Sequence, residues 1–130
     1  MPKLIANLTG LLIVLCGLSS CIEFVDVEVG FTDAGTPVFK PDRQGLLRLK
    51  RSISSVKVSA ESGNVEWHIQ AQEFGYGVKL KEVTYGEIPE GFDQAIAPLE
   101  LQPETVYGVL LSGPGWSGGR EFEISHSNDT

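Results

Sequence analysis

From residue 22 onward, no stretch of this chain keeps a helical period for as many as ten residues. What recurs instead is a short run, alternating in polarity or rich in β-branched side chains, closed off by Gly, Pro, Asn or Asp. A strand turns successive side chains to opposite faces, so runs of this kind bury one face in a sheet and have no apolar stripe to offer a helix. The expected strands are 22–29, 37–40, 45–50, 52–60, 64–70, 77–85, 105–112 and 120–125. Turn chemistry fills the gaps at Thr32-Asp33-Ala34-Gly35, Ser62-Gly63-Asn64, Gly75-Tyr76-Gly77 and Gly113-Pro114-Gly115. Short strands at this spacing predict an all-β fold, a two-sheet sandwich or a small barrel. The chain has 130 residues, of which 42% are hydrophobic and 21% charged. It has room for one domain with a genuine core, and its composition excludes a disordered polymer.

Within that frame Val65, Trp67 and Ile69 fall on one strand face, and Val78, Leu80 and Val83 form a second inward row interrupted by a bulge. Trp67 is expected to be a core anchor rather than a ligand platform, since buried aromatics dominate the energetics of small β domains. One segment sharpens the fold. Leu101-Gln102-Pro103-Glu104-Thr105-Val106-Tyr107 resembles the Leu-x-Pro-x-Thr-x-Tyr corner of fibronectin type III domains, with Trp67 forty residues earlier and Val109 and Leu111 continuing the inward face. The resemblance implies an immunoglobulin-like or fibronectin III-like β-sandwich over 21–130, in which the Tyr107 hydroxyl bonds back to the connecting backbone. The chain departs from that family at its front, where the residues before Trp67 exceed what the first strands require. The wider pattern, Trp67-x-Ile69, then Tyr85-Gly86-Glu87-Ile88-Pro89-Glu90-Gly91-Phe92, then the corner, also resembles small lipoproteins of Gram-negative bacteria, which implies no particular activity.

The first twenty residues have a different character. Lys3 supplies a positive end, residues 4–18 are mostly apolar but interrupted by Asn7, Thr9 and Gly10, and Leu18-Ser19-Ser20-Cys21 follows. The apolar run is short and broken for a spanning helix, which needs roughly 20 residues. The last four residues resemble a bacterial lipobox, in which a large aliphatic side chain stands three before the cysteine and small residues fill the places between. That resemblance implies a signal peptide over 1–20, cleavage before Cys21 and lipid attachment at the Cys21 sulfur, the mature chain carrying two or three acyl groups. Cys16 lacks small residues before it and is expected to leave with the signal peptide, so no thiol is left for a disulfide, a redox site or a metal. The alternatives are an uncleaved anchor and a plain secretory signal. Ile22, rather than aspartate, follows the cysteine, which by the same resemblance favours the outer membrane over the inner. Because alternation begins at Ile22, the domain is expected to sit close to the lipid surface with almost no linker.

Charge narrows the partners. Loss of 1–20 removes Lys3 alone, leaving nine of the ten lysines and arginines against seventeen acids, a net of −8. Such a surface repels nucleic acid and anionic headgroups, so lipid must do the anchoring. Six of those nine cations, Lys40, Arg43, Arg48, Lys50, Arg51 and Lys57, nevertheless fall within eighteen residues. They form either a docking face for an acidic partner, with Arg48, Lys50 and Arg51 at its centre, or an edge whose cations discourage strand pairing.

Catalytic signals are few. Gly115-Trp116-Ser117-Gly118-Gly119 matches the Gly-x-Ser-x-Gly nucleophile elbow, but a strand pattern follows where a helix is required, and His126 precedes Asp129 in the reverse of the elbow's order. A glycine-rich hairpin tip explains the motif more simply. At that tip Trp116 is either an exposed anchor, for a partner or a membrane interface, or a ring folded back on the sandwich. His68 faces away from Trp67 and Ile69, His126 is near the end, and Glu87, Glu90 and Asp93 lack the spacing of a calcium loop, so no cofactor or metal is expected. Three functions follow as expectations: a non-catalytic envelope lipoprotein acting as a binding or assembly module for a protein partner, an inhibitor or immunity-type lipoprotein, and, third, a hydrolase built on Ser117.

Overall fold

The computed structural model describes residues 22–41 and 51–124. Its strands are β1 (Glu23–Phe24), β2 (Val27–Phe31), β3 (Pro37–Pro41), β4 (Arg51–Ile53), β5 (Ser55–Ala60), β6 (Val65–Ala71), β7 (Val78–Leu80), β8 (Val83–Thr84), β9 (Phe92–Ile96), β10 (Val106–Gly113) and β11 (Trp116–Glu123). Three sheets result: β1-β11-β10-β5-β6-β9, β2-β3-β8 and the pair β4-β7. Every pairing is antiparallel except β1 with β11. In the large sheet the last two strands lie beside the pair β5-β6, while the small sheet joins β2 and β3 to the later β8, the division of strands seen in immunoglobulin-type sandwiches. The expected all-β sandwich is therefore the fold.

Why these residues pair so is visible in the core. Val56 and Val58 of β5, Trp67 and Ile69 of β6, and Tyr107, Val109 and Leu111 of β10 alternate inward, and meet Val27, Phe39 and Val83 from the facing sheet. Phe39 and Phe122 close the gap between the sheets with ring centroids 5.4 Å apart, and Tyr107 lies 5.8 Å from Phe122. Trp67 is fully buried, as expected of a core anchor, with its ring 5.0 Å from that of Tyr85. Among the described residues its indole N–H has no hydrogen-bond partner, which makes its position a matter of packing alone.

The corner before β10 has the geometry its resemblance implies. The Gln102 N–H donates to the Tyr107 hydroxyl at 2.7 Å, and Glu104, between them, is the only described residue other than glycine at positive φ (61°). Left-handed backbone costs a residue with a Cβ about 1 kcal/mol or more, so the tyrosine bond and the packing of Leu101 against the core hold the loop in place.

Three expected strands are each divided. The run 22–29 becomes β1 and β2, 52–60 falls into β4 and β5 about Ser54, and 77–85 separates into β7 and β8. At each break the chain leaves one sheet for another, as strands do at the corners of sandwiches. What looked like a bulge among Val78, Leu80 and Val83 is such a passage: Val78 pairs with Ile53 and Val83 with Phe39. β9 was not expected, because only Phe92 of its five residues is buried and no alternation marks it. β11 begins at Trp116 rather than at 120, and the expected strand 45–50 lies outside the described residues.

Two predictions follow from this packing. Tyr107→Phe removes the acceptor for the Gln102 N–H and should lower stability by about 1–1.5 kcal/mol in urea unfolding, with an unchanged m-value. Burial, then the charge of Glu66, pushes the Tyr85 hydroxyl up to about 12, and ionisation also forfeits the O–H that it donates to the Leu99 carbonyl at 2.6 Å. A folded-state value above the unfolded one of about 10 means that this contribution is intact below pH 10 and lost as pH rises toward 12. The melting temperature should fall across that window, and Tyr85→Phe should flatten the fall.

Candidate functional site at the N-terminal end of the sandwich

Trp116, Ser117 and Arg51, three of the residues singled out in the sequence, stand together at one end of the sandwich. Glu23 is level with Trp116, and Phe24 with Ser117. The chain arriving from Cys21 therefore enters directly onto the strand that follows the last hairpin. The Glu23 N–H donates to the Gly115 carbonyl and the Val25 N–H to that of Ser117, both at 2.8 Å. A short parallel strand is poorly supported by itself, and here the space for it comes from glycine. A Cβ on Gly118 would overlap the Val25 carbonyl oxygen, and one on Gly113 would overlap the Ser52 carbonyl and the Trp116 indole. Within Gly115-Trp116-Ser117-Gly118-Gly119, Gly118 thus serves close backbone approach, while Gly115 supplies the positive φ (78°) of the hairpin turn.

Trp116 is not an exposed anchor. Its ring is buried, its indole N–H donates to the Ser52 carbonyl at 2.9 Å, and the strand rather than the hairpin tip carries it. Of the two readings of this tryptophan, the folded-back ring is the one observed, because Gly113 leaves a slot that the indole fills. Arg51 lies over the same ring, 5.4 Å from its centroid, and reaches Glu23 with both terminal nitrogens at 3.2 and 3.4 Å. Glu23 is largely exposed, so the pair contributes at most about 1 kcal/mol, and the stacking on Trp116 a similar amount.

Ser54, also buried, ties this end to the other side of the sheet. Its N–H donates to Ser112, its carbonyl accepts from Ala71, and its hydroxyl donates to the Phe74 carbonyl at 2.6 Å. The loop after β6 is thereby held at the same end as β1.

Three of the six cations of the basic stretch are among the described residues. Lys40, Arg51 and Lys57 stand on three different sheets, and the Arg51 side chain is only 15% exposed, its charge met by Glu23. Cys21, Arg43, Arg48, Lys50 and His126 lie outside the described residues. Ser117 sits in a regular strand, half-buried, not in the strained turn that an elbow requires. His68, the histidine among the described residues, is three strands away from Ser117, about 14 Å at the usual interstrand spacing. Burial, then the charge of Lys57 directly opposite, holds the His68 ring below its ordinary value. Glu87, Glu90 and Asp93 are exposed, and Asp93 accepts a bond from the Gln72 amide at 3.1 Å.

A second surface was missed in the sequence. On the outer face of the large sheet, Leu110, Lys57, His68 and Ile96 form one cross-strand row, with Leu110 47% and Ile96 37% exposed. The only signal for it was Leu110, an apolar residue out of phase with Val109 and Leu111. No family model, no curated protein and no solved structure matches the chain.

Gly118→Ala tests what holds the N-terminal strand. It should cost about 2–3 kcal/mol, as overpacking against rigid backbone does, and should abolish hydrogen-exchange protection at the Glu23 and Val25 amides first.

Proposed function

We propose that this protein is a non-catalytic lipoprotein of the bacterial cell envelope, anchored through acyl groups on Cys21, whose sandwich serves as a binding or assembly module for a protein partner. The reading rests first on Leu18-Ser19-Ser20-Cys21. The observation that carries it further is the position of β1: the chain is hydrogen-bonded to β11 from Glu23 onward, one residue past Ile22. A lipid on Cys21 would then hold the domain against the bilayer with no free tether, since one residue spans about 3.8 Å. Two or three acyl chains, at about 0.8 kcal/mol per buried methylene, suffice for stable anchoring. The outer membrane is the proposed site, with the domain on its periplasmic side.

A domain tethered so closely presents its flanks, not its anchored end, to soluble partners. Among the described residues, the row of Leu110, Lys57, His68 and Ile96 and the edge strand β9 form the uncovered flank. The mature net charge of −8 speaks against nucleic acid and for a protein with a basic surface.

Crosslinking in intact cells, solubilisation of the membranes and mass spectrometry of what copurifies with the tagged protein would test this. The expected outcome is a stoichiometric envelope partner that is lost, together with membrane fractionation, in Cys21→Ala. A protein that fractionates with membranes but brings down no partner would remove the assembly role.

A further inference from the structure

We propose that the end of the sandwich bearing Ile22, Phe24, Phe74 and Tyr76 is itself a bilayer-contact surface, with the Phe74-Gly75-Tyr76 loop dipping into the headgroup layer as a second attachment beside the lipid. The inference rests on the lipid-anchored reading of Cys21 and adds to it an orientation and a set of contacting residues.

Among the described residues nine large hydrophobic side chains are exposed, and four of them stand at this end: Ile22 at 51%, Phe24 at 84%, Phe74 at 55% and Tyr76 at 78%. Register places them there. Phe24, Ser117, Ser112, Ser55, Gln70 and Asp93 form one level across the sheet, and Glu23, Trp116, Gly113 and Ala71 the next level outward. Ile22 precedes that outer level, and Phe74 and Tyr76 follow it. By contrast, Phe31 ends β2 at the far end of the molecule, and Leu99 is bonded to Glu66 near the far end of β6.

The loop is not free to fold its rings inward. The Phe74 carbonyl is held by the Ser54 hydroxyl, and the N–H groups of Tyr76 and Gly77 both donate to the Glu73 carbonyl at 3.0 and 2.9 Å. Two aromatic side chains are thus presented to solvent by a bonded turn, an arrangement that costs hydration free energy unless something apolar receives them. The occupant follows from what lies nearest. Cys21 is one residue from Ile22, so acyl chains on its sulfur would enter the bilayer beside Ile22 and Phe24. From β1 to β6 is four interstrand steps, about 19 Å, so the loop would meet the membrane well to one side of the anchor. Two separated contacts stop a tethered domain from swivelling, which one lipid does not. The chemistry suits the interface rather than the hydrocarbon interior: a phenol beside a phenyl ring is the pairing that headgroup belts favour. Glu23 is matched by Arg51, so the strand nearest the anchor carries no uncompensated charge toward the lipid.

The test uses the full chain in a Gram-negative host, with a benzophenone amino acid in place of Tyr76, Phe74 or, at the opposite end, the exposed Asp33. Membranes are irradiated, adducts are identified by mass spectrometry, and an alkyne fatty acid fed to the same cells reports acylation of Cys21. The proposal expects phospholipid adducts from positions 74 and 76 to exceed those from 33 by about tenfold, on acylated protein. Acylated protein whose positions 74 and 76 yield protein adducts, or no more lipid than 33, would overturn the contact surface and leave the anchor standing. Absence of acyl label on Cys21 would remove the anchor and the contact surface with it.

Discussion

The approach of two backbone segments to the last hairpin governs the structure at its N-terminal end. Val25 runs against Gly118, and Ser52 with the Trp116 indole runs against Gly113, in both cases where a single methyl group would not fit. Through those contacts the N-terminal strand, the start of β4 and the hairpin become one block. The energies rank plainly. Truncating a buried tryptophan to alanine costs about 3–5 kcal/mol, whereas the partly exposed Arg51–Glu23 pair contributes at most about 1. Packing holds this end, and the ion pair sits on top of it.

That block divides the molecule's surface into two parts with different chemistry. One is the end that carries β1, apolar at Ile22, Phe24, Phe74 and Tyr76 and pinned through Ser54. The other is the outer face of the large sheet, where Leu110 and Ile96 flank Lys57 and His68, with β9 as an open edge. Under the anchoring proposed at Cys21, the first surface would set the orientation and the second would meet the partner. The same sandwich on a long tether would have neither constraint.

Much of the fold was legible along the chain because burial in a sheet leaves a period of two. Trp67 and Ile69, and likewise Val109 and Leu111, are inward rows as expected, and the corner at Tyr107 is bonded as its residue pattern implies. Val65 is half-buried and outside the core, because the β5–β6 register shifts after Val58 and sets Val65 opposite Ser59. The divisions of 22–29, 52–60 and 77–85 were not legible, because a strand that crosses from one sheet to another keeps its alternation, and the crossing shows only in which partner it meets. β9 escaped notice for the opposite reason: an edge strand with one buried residue has no period to read. The candidate site was half visible. The pattern singled out Trp116, Ser117 and Arg51 but not what they do together, since the glycines at 113 and 118 look the same in a flexible tip as in a tight backbone crossing.

The sequence by itself determined the all-β class, the inward rows, the tyrosine corner and the acidic balance, since each follows from residues near one another along the chain or from a simple count. Tertiary structure alone decided that Trp116 is buried, that Arg51 turns to Glu23 instead of joining Lys40 and Lys57, and that Phe74 and Tyr76 share an end with Ile22 and Phe24. Those outcomes depend on which strands lie side by side. Residues 24 and 117, or 54 and 74, become neighbours only through pairing and side-chain bonds that no local period encodes.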